Sequence, residues 1–230
     1  MIGRSILNER SLVESLRRLV LKAVEEKMGF VTDILKVLPE KGSSINLASK
    51  RFLEFWKNWW GEGYIPQLEI DLILVLNSEV KINDLSLGKP CLLGVEVKFF
   101  KPKSNMNFYE GLDQALAYLR IGLDKVALLH IFHPECSEDL IRRHVKAMES
   151  LVDGLKLPIA YVACKLVSLE GLGRFALFTQ YVRPCEVDIT YVVYYLKQAP
   201  INPLFKNVTH GSEVQRLRST LLALLKIPRT

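Results

Sequence analysis

Two apolar segments with charged residues inside them constrain the fold of this chain more than any other feature. Residues 68–76 have the sequence LEIDLILVL, and residues 92–100 have the sequence LLGVEVKFF. Both are short, rich in Leu, Ile and Val, and bounded by Pro, Asn or Ser residues, which is typical of β-strands. The connection between them is rich in Asn, Asp, Ser and Gly. We therefore predict two antiparallel strands that are neighbours in one sheet.

Three ionisable side chains lie inside these strands: Asp71 in the first, and Glu96 and Lys98 in the second. Residues two apart on a strand point to the same face, so Glu96 and Lys98 project together, and strand pairing brings Asp71 beside Glu96. Buried ionised groups are costly unless they are paired or bound to metal. Two carboxylates and the main-chain carbonyl of Val97 form an oxygen-rich set suited to Mg²⁺ or Mn²⁺. The alternative is a simple ion pair of Glu96 with Lys98 at a solvent-facing sheet edge.

A helical pattern over residues 109–122 follows the two strands. It contains Gln114 and Tyr118, which share a helix face because they are four residues apart. Three motifs of the chain resemble those of the PD-(D/E)xK nuclease superfamily: Asp71, Glu96-Val97-Lys98 and Gln114-x-x-x-Tyr118. The last of these is similar to the corresponding element of the RecB-like branch of that superfamily.

The resemblance implies a restriction-endonuclease-like core, which is an α/β fold with a mixed β-sheet flanked by helices. It implies that Asp71 and Glu96 are metal ligands, that Lys98 is the catalytic lysine, and that Gln114 and Tyr118 support the catalytic site. The position before Asp71 departs from the motif because it holds Ile instead of Pro.

The family often adds an acidic residue from its first helix. We predict Glu26 for that role because it lies nearer the apolar face of the helix than Glu25 does. Glu69 in the first strand is another candidate for completing the site. Lys101 and Lys103 follow the catalytic strand and are the predicted DNA contacts.

The rest of the chain alternates between helical and strand patterns, which predicts one α/β domain over residues 1–230. We expect its catalytic core over about 11–165 and a C-terminal extension over 166–230. Further helices are predicted at 11–28, 30–38, 47–60, 137–155 and 215–225. Further strands are predicted at 125–132, 157–165, 175–182 and 187–196. The helix over 47–60 carries Phe and Trp residues whose spacing favours a core or dimer face over a base-stacking surface.

The composition fits a folded protein with an anionic partner. Apolar residues make up 49% of the chain, and 31 basic against 25 acidic side chains give a formal charge of +6, which favours binding to a polyanion such as DNA. The four cysteines are scattered without zinc-ligand spacing, which is typical of reduced thiols. We find neither a signal-peptide pattern nor the roughly 18 uninterrupted apolar residues of a membrane span. We therefore expect a soluble, cytoplasmic protein without a membrane partner.

These features together predict a Mg²⁺- or Mn²⁺-dependent deoxyribonuclease that acts in DNA repair, recombination or replication. A homodimer is expected because a single small core grips only one strand. Two alternatives stay open. One is a non-catalytic DNA-binding or assembly protein that retains the nuclease fold. The other is a structural protein in which Glu96 and Lys98 form only an ion pair.

Overall fold

A seven-stranded mixed β-sheet forms the centre of the protein, with helices on both of its faces. The structure is a computed structural model that describes residues 8–60, 65–102, 106–169 and 172–228. The strands are β1 (Ile34–Leu38), β2 (Ile45–Asn46), β3 (Glu69–Ile70), β4 (Leu72–Leu76), β5 (Val80–Ile82), β6 (Leu85–Gly88), β7 (Cys91–Phe100), β8 (Lys125–Phe132), β9 (Ala160–Leu166), β10 (Arg174–Phe178) and β11 (Cys185–Asp188). The α-helices are α1 (Glu9–Glu25), α2 (Leu53–Trp60), α3 (Leu112–Arg120), α4 (Glu138–Gly154), α5 (Ile189–Lys197) and α6 (Gly211–Leu224).

The strand order in the large sheet is β1-β4-β7-β8-β9-β10-β11. β7 runs antiparallel to β4 and parallel to β8, and β8 runs parallel to β9. The two parallel connections pass through α3 and α4, because parallel neighbours need a crossover. The predicted mixed sheet flanked by helices is therefore confirmed. The predicted antiparallel pairing of the two charged strands is confirmed as well.

Alternation along the central strands divides the core into two layers. Leu93, Val95 and Val97 of β7 pack against α1 and α5 on one face of the sheet. On the other face, Leu92 packs in a layer that also contains residues of α2, α3, α4 and α6. Because side chains alternate along a strand, Glu96 projects into this second layer.

Residues 30–38 do not form the predicted helix. Ile34–Leu38 is strand β1, which pairs antiparallel with β4 from Ile34↔Leu76 to Leu38↔Ile73. A register shift between Ile34 and Lys36 interrupts the two-residue alternation by which a strand is recognised. Pairing with β4 supplies the backbone hydrogen bonds, so the segment is extended in spite of its irregular pattern.

The predicted strand over residues 187–196 is wrong, because most of these residues form helix α5. The segment is rich in Val and Tyr, which favours strands. The side chain of Asp188 caps the helix by accepting hydrogen bonds from the N–H groups of Thr190 and Tyr191. Apolar residues of one helix face, which include Ile189 and Val192, are buried against the sheet. The cap and this packing outweigh the strand propensity.

The elements that follow β9 join the same sheet and the same core layers as the earlier ones. β10 and β11 extend the seven-stranded sheet, and α5 packs with α1 on one face.

Cys91, Cys136 and Cys164 are buried thiols, and Cys185 is an exposed thiol. Within the described ranges, no helix combines the length and the apolar character needed to cross a membrane.

Candidate active site

Sheet register brings the two predicted carboxylates to one face. Leu72 pairs with Val95, so the next step of the antiparallel ladder sets Asp71 opposite Glu96. Asp71 itself interrupts the predicted strand over 68–76, because it occupies a bend between β3 and β4. The bend frees its side chain to accept a hydrogen bond from the backbone N–H of Val97, at 2.8 Å from Oδ2.

Glu96 is the buried centre of the cluster, with 1% of its surface exposed. Its Oε1 lies 2.8 Å from Nζ of Lys98, and the side chain of Lys98 is only 12% exposed. Its other oxygen contacts the hydroxyl of Tyr118, which α3 lays across the same face. The predicted residues Asp71, Glu96, Lys98 and Tyr118 therefore form one contiguous group.

The hydroxyl of Tyr118 makes two contacts with only one proton. It lies 2.6 Å from the backbone carbonyl of Glu69 and also contacts the carboxyl group of Glu96. A carbonyl oxygen only accepts, so the single proton of the hydroxyl is donated to Glu96 when that carboxyl group is ionised, and it can be donated to Glu69 when Glu96 carries its own proton. Tyr118 thereby fixes the orientation of Glu96 and ties it to the strand before Asp71.

Lys98 is held by groups from three elements. Besides Glu96, it faces Oε1 of Glu9 from α1 at 3.6 Å. Gly111, the residue that caps α3, has φ +79°, and a Cβ built there would meet Cε of Lys98 at 2.9 Å. Glycine is needed here both for the positive φ and for the close approach. The packed lysine stem restricts the positions that its ammonium group adopts.

Burial sets the protonation of the cluster. Burial, followed by the charge of Glu96, raises the pKa of Asp71 to about 8. Burial also raises the pKa of Glu96, although Lys98 opposes that change. Burial acts to lower the pKa of Lys98, but the attraction of Glu96 outweighs it, so the lysine stays charged. One ammonium group therefore does not suffice to keep both carboxyl groups ionised, and a further cation would favour that state.

The acidic residue that α1 brings to the site is Glu9 instead of the predicted Glu26. Oε2 of Glu9 accepts a hydrogen bond from the N–H of Phe99 at 3.3 Å. Glu26 follows the last turn of α1, half-exposed beside Lys22 at 3.8 Å. A helix rises 1.5 Å per residue, so the two acids are about 25 Å apart. The spacing of apolar residues marks the face of a helix, but it does not reveal which end meets the site.

The other predicted site residues are Gln114, Glu69, Lys101 and Lys103. Gln114 is half-buried on α3, one turn before Tyr118. The side chain of Glu69 is exposed and accepts a hydrogen bond from Ser44 at 2.9 Å, so Glu69 contributes its main chain to the cluster. Lys101 is half-buried after β7, with Nζ 6.0 Å from the ring centroid of Phe99. Lys103 lies outside the described residues.

The donor set suits a hard divalent cation. Asp71 and Glu96 offer carboxylate oxygens, and Val97 offers its main-chain carbonyl on the strand edge to which its N–H points. Within the described residues, no three His, Cys, Asp or Glu side chains are grouped to hold a metal ion. Mg²⁺ is compatible with such a set, because it keeps several waters and commonly binds one or two carboxylates plus a substrate phosphate.

The chain was compared with protein families, curated proteins and solved structures. The chain matches no protein family, no curated protein and no solved structure.

The raised pKa of Asp71 predicts how the stability of the protein changes with pH in EDTA. The ordinary pKa of this group is 3.8 and the folded value is about 8, so its stabilising contribution is complete below about pH 4 and is lost as the pH rises through 8. Asp71→Asn removes this titration. We expect the unfolding free energy of the wild type to fall relative to the variant by more than about 1.4 kcal/mol from pH 5 to pH 9.

Urea denaturation at the two pH values measures this difference. Glu186→Gln is the control, because Glu186 is a half-exposed partner of Arg174 on the far side of the sheet. Equal pH dependence in the wild type and in Asp71→Asn would show that burial does not perturb Asp71.

Proposed function

We propose that this protein is a metal-dependent nuclease that hydrolyses DNA phosphodiester bonds, with a restriction-endonuclease-like core of the PD-(D/E)xK type. One observation carries the proposal: two carboxyl groups and a charged lysine share a largely buried face where β4 meets β7. Burying such groups is costly unless they are paired or bind metal, and of the two carboxyl groups only that of Glu96 forms an ion pair with Lys98 among the described residues. The order of the elements supports the fold assignment, since an antiparallel pair precedes the parallel crossover through α3.

Each residue has a distinct task in the proposed site. Asp71, Glu96 and the carbonyl of Val97 bind Mg²⁺ or Mn²⁺. The cation, when bound, polarises the phosphodiester and lowers the pKa of water. Lys98 orients the attacking water and neutralises charge that develops on the phosphate. Tyr118 holds Glu96 in its binding orientation through the contact described above.

The alternative is a DNA-binding or assembly protein that retains this fold without catalysis. The charged state of Lys98 and its packing against Gly111 favour the enzyme, because an ammonium group fixed beside two carboxylates is suited to phosphate chemistry. We also propose that the enzyme acts on duplex DNA as a homodimer, since one small core reaches only one strand.

The direct experiment incubates the purified protein with linear, circular and branched DNA in Mg²⁺, Mn²⁺ or EDTA. We expect cleavage only with the divalent cations, and a loss of roughly 10³-fold in Glu96→Gln, because catalytic groups of one site act as a unit. Glu79→Gln serves as the matched control, since Glu79 pairs with Lys81 in the small β5–β6 hairpin. The substrate that is cut defines the class of nuclease.

A thermal measurement separates the rivals when no DNA is cut. A cation present at 100 times its dissociation constant stabilises the protein that binds it by about 2.7 kcal/mol. Stabilisation by Mn²⁺ in the wild type but not in Glu96→Gln is expected for the proposed site. DNA binding that is equal in EDTA and Mn²⁺, without cleavage and without thermal stabilisation, would favour the non-catalytic binding protein.

A further inference from the structure

A second feature of the same sheet face is a basic cavity of about 450 Å³. It lies between β1, the segment that contains β2, the 3-10 turn that precedes α2 and the residues that follow α6. Its apolar wall includes Leu38, Phe52 and Leu225, which belong to the core layer that also buries Tyr118. The cavity therefore opens on the face of the sheet that carries Asp71 and Glu96.

Positive charge dominates the lining of the cavity. Its cationic residues are Lys36, Lys41, Arg51 and Lys226, and its single acid is Glu40. Nζ of Lys36 lies 2.6 Å from Oε1 of Glu40. A hydrogen bond and the charge of Lys36 lower the pKa of Glu40, and Arg51 and Lys226 act in the same direction. The cations thus exceed the acid by three, and they converge on one volume from three separate parts of the chain.

Lys226 occupies a backbone position that does not favour lysine. It follows α6 with φ +55°, and the N–H of Ile227 closes the helix end on the carbonyl of Leu222 at 2.9 Å. Glycine is the usual residue at this left-handed position. Lys27 after α1 and Lys156 after α4 hold the same position, so lysine is tolerated at the helix ends of this chain, and glycine can replace Lys226 without strain.

The cavity adjoins the carboxylate site through a short sheet. Ser44, Ile45 and Asn46 line the cavity. Ile45 pairs with Ile70, the residue immediately before Asp71, and Asn46 pairs with Glu69. Ser44 also donates a hydrogen bond to the side chain of Glu69. The β2–β3 pairing therefore connects the lining of the cavity directly to the residues that precede Asp71.

We propose that this cavity binds a backbone phosphate of the DNA strand that is cut at Asp71 and Glu96. The proposal rests on the proposed nuclease function and names the flanking contact that holds the substrate. Lys41 and Lys226 are exposed and supply the charge, and Glu40 competes with the phosphate for Lys36. Contacts of this kind set register and affinity but carry no base specificity.

The test measures binding of a labelled DNA duplex by fluorescence anisotropy in EDTA, over a range of salt concentrations. The double variant Lys41→Gln/Lys226→Gly is expected to bind about tenfold more weakly, with a salt slope reduced by about 0.9, since one phosphate contact is lost. Glu40→Gln is expected to bind more tightly. Glycine suits position 226, so the double variant is expected to keep its melting temperature.

Lys57→Gln is the matched control, because Lys57 is a half-exposed lysine of α2 that pairs with Glu54 and does not line the cavity. Weaker binding in the double variant but not in the control supports the proposal. The proposal is overturned if the double variant binds the duplex as tightly as the wild type does, or if it loses no more affinity than Lys57→Gln. Protection by inorganic phosphate in a thermal shift, with DNA affinity unchanged in the double variant, also overturns it in favour of a small phosphate ligand.

A parallel cleavage assay distinguishes this proposal from the function itself. If the wild type cuts DNA and the double variant binds normally, the nuclease stands and the phosphate site is overturned. If nothing is cut but the double variant still loses affinity in a salt-dependent way, the cavity stands as a contact to a DNA phosphate and catalysis is rejected.

Discussion

Under the proposed nuclease function, Lys98→Met is expected to lower the rate of DNA cleavage by about 10²–10³-fold, the usual cost of removing one group that stabilises a developing negative charge. Lys98 is the only cation that contacts Glu96 among the described residues, and it is packed beneath Gly111. Methionine keeps much of the stem volume and removes the charge. The loss should therefore come from chemistry and charge, with the fold retained.

The same substitution has a second, separable effect on Glu96. Lys98 opposes the rise that burial causes in the pKa of Glu96, so removing it raises that pKa further. We therefore expect Mn²⁺ to stabilise Lys98→Met less than the wild type at neutral pH, with recovery as the pH increases. Measurement of cleavage and of metal-dependent melting over a pH series distinguishes the two effects.

Lys57→Met is the control for Lys98→Met, since Lys57 pairs with Glu54 on α2. Cleavage by Lys98→Met within a few-fold of the wild type, under conditions in which Glu96→Gln is inactive, would remove Lys98 from the catalytic role. It would leave the two carboxylates as the essential groups.

Arg218→Met is expected to destabilise the protein by about 3–5 kcal/mol, the cost of breaking a buried ion pair from one side. Nε of Arg218 lies 2.6 Å from Oδ1 of Asp124, and both side chains are at most 3% exposed. The guanidinium group also donates to the backbone carbonyls of Leu87 and Pro90. It thereby joins α6 to β6 and to the connection that leads into β7.

Removal of Arg218 leaves the carboxyl group of Asp124 buried without its partner. Burial already raises the pKa of Asp124 to about 6 against the attraction of Arg218, and the substitution raises it further. A raised folded pKa means that stability falls as the pH increases, so the loss in Arg218→Met should be larger at pH 8 than at pH 5.

Urea denaturation of three variants tests this interpretation. Asp124→Asn/Arg218→Met should recover part of the loss, because no uncompensated charge stays buried. Arg174→Met, which breaks an exposed pair with Glu186, should cost less than about 1 kcal/mol. A double variant as unstable as the single one would assign the loss to packing and carbonyl contacts instead of charge.

The central strands and part of the site could be predicted because they depend on local order. Glu96 and Lys98 are two residues apart, and strand geometry alone puts them on one face. The apolar runs on both sides of the connection predict antiparallel neighbours, and the ladder from Leu72↔Val95 to Leu76↔Cys91 has that form. The four-residue spacing of Gln114 and Tyr118 likewise indicates a shared helix face before any contact is known.

Two predictions that depend on contacts between distant segments of the chain were wrong. The sequence offered Glu25 and Glu26 at one end of α1 but could not show that the other end, with Glu9, reaches Phe99. The strand propensity of 187–196 gave way to a helix because capping by Asp188 and burial against the sheet contribute more than local preference.

The sequence by itself determined the period-two pattern of β7, the charged residues within it and the positive net charge of the chain. Only the tertiary structure decided that Tyr118 contacts Glu96, that α1 contributes Glu9, and that Lys41 and Lys226 line one cavity. Local patterns fix which face of an element is apolar. The free energy that selects one arrangement comes from burial and pairing between segments far apart in the chain.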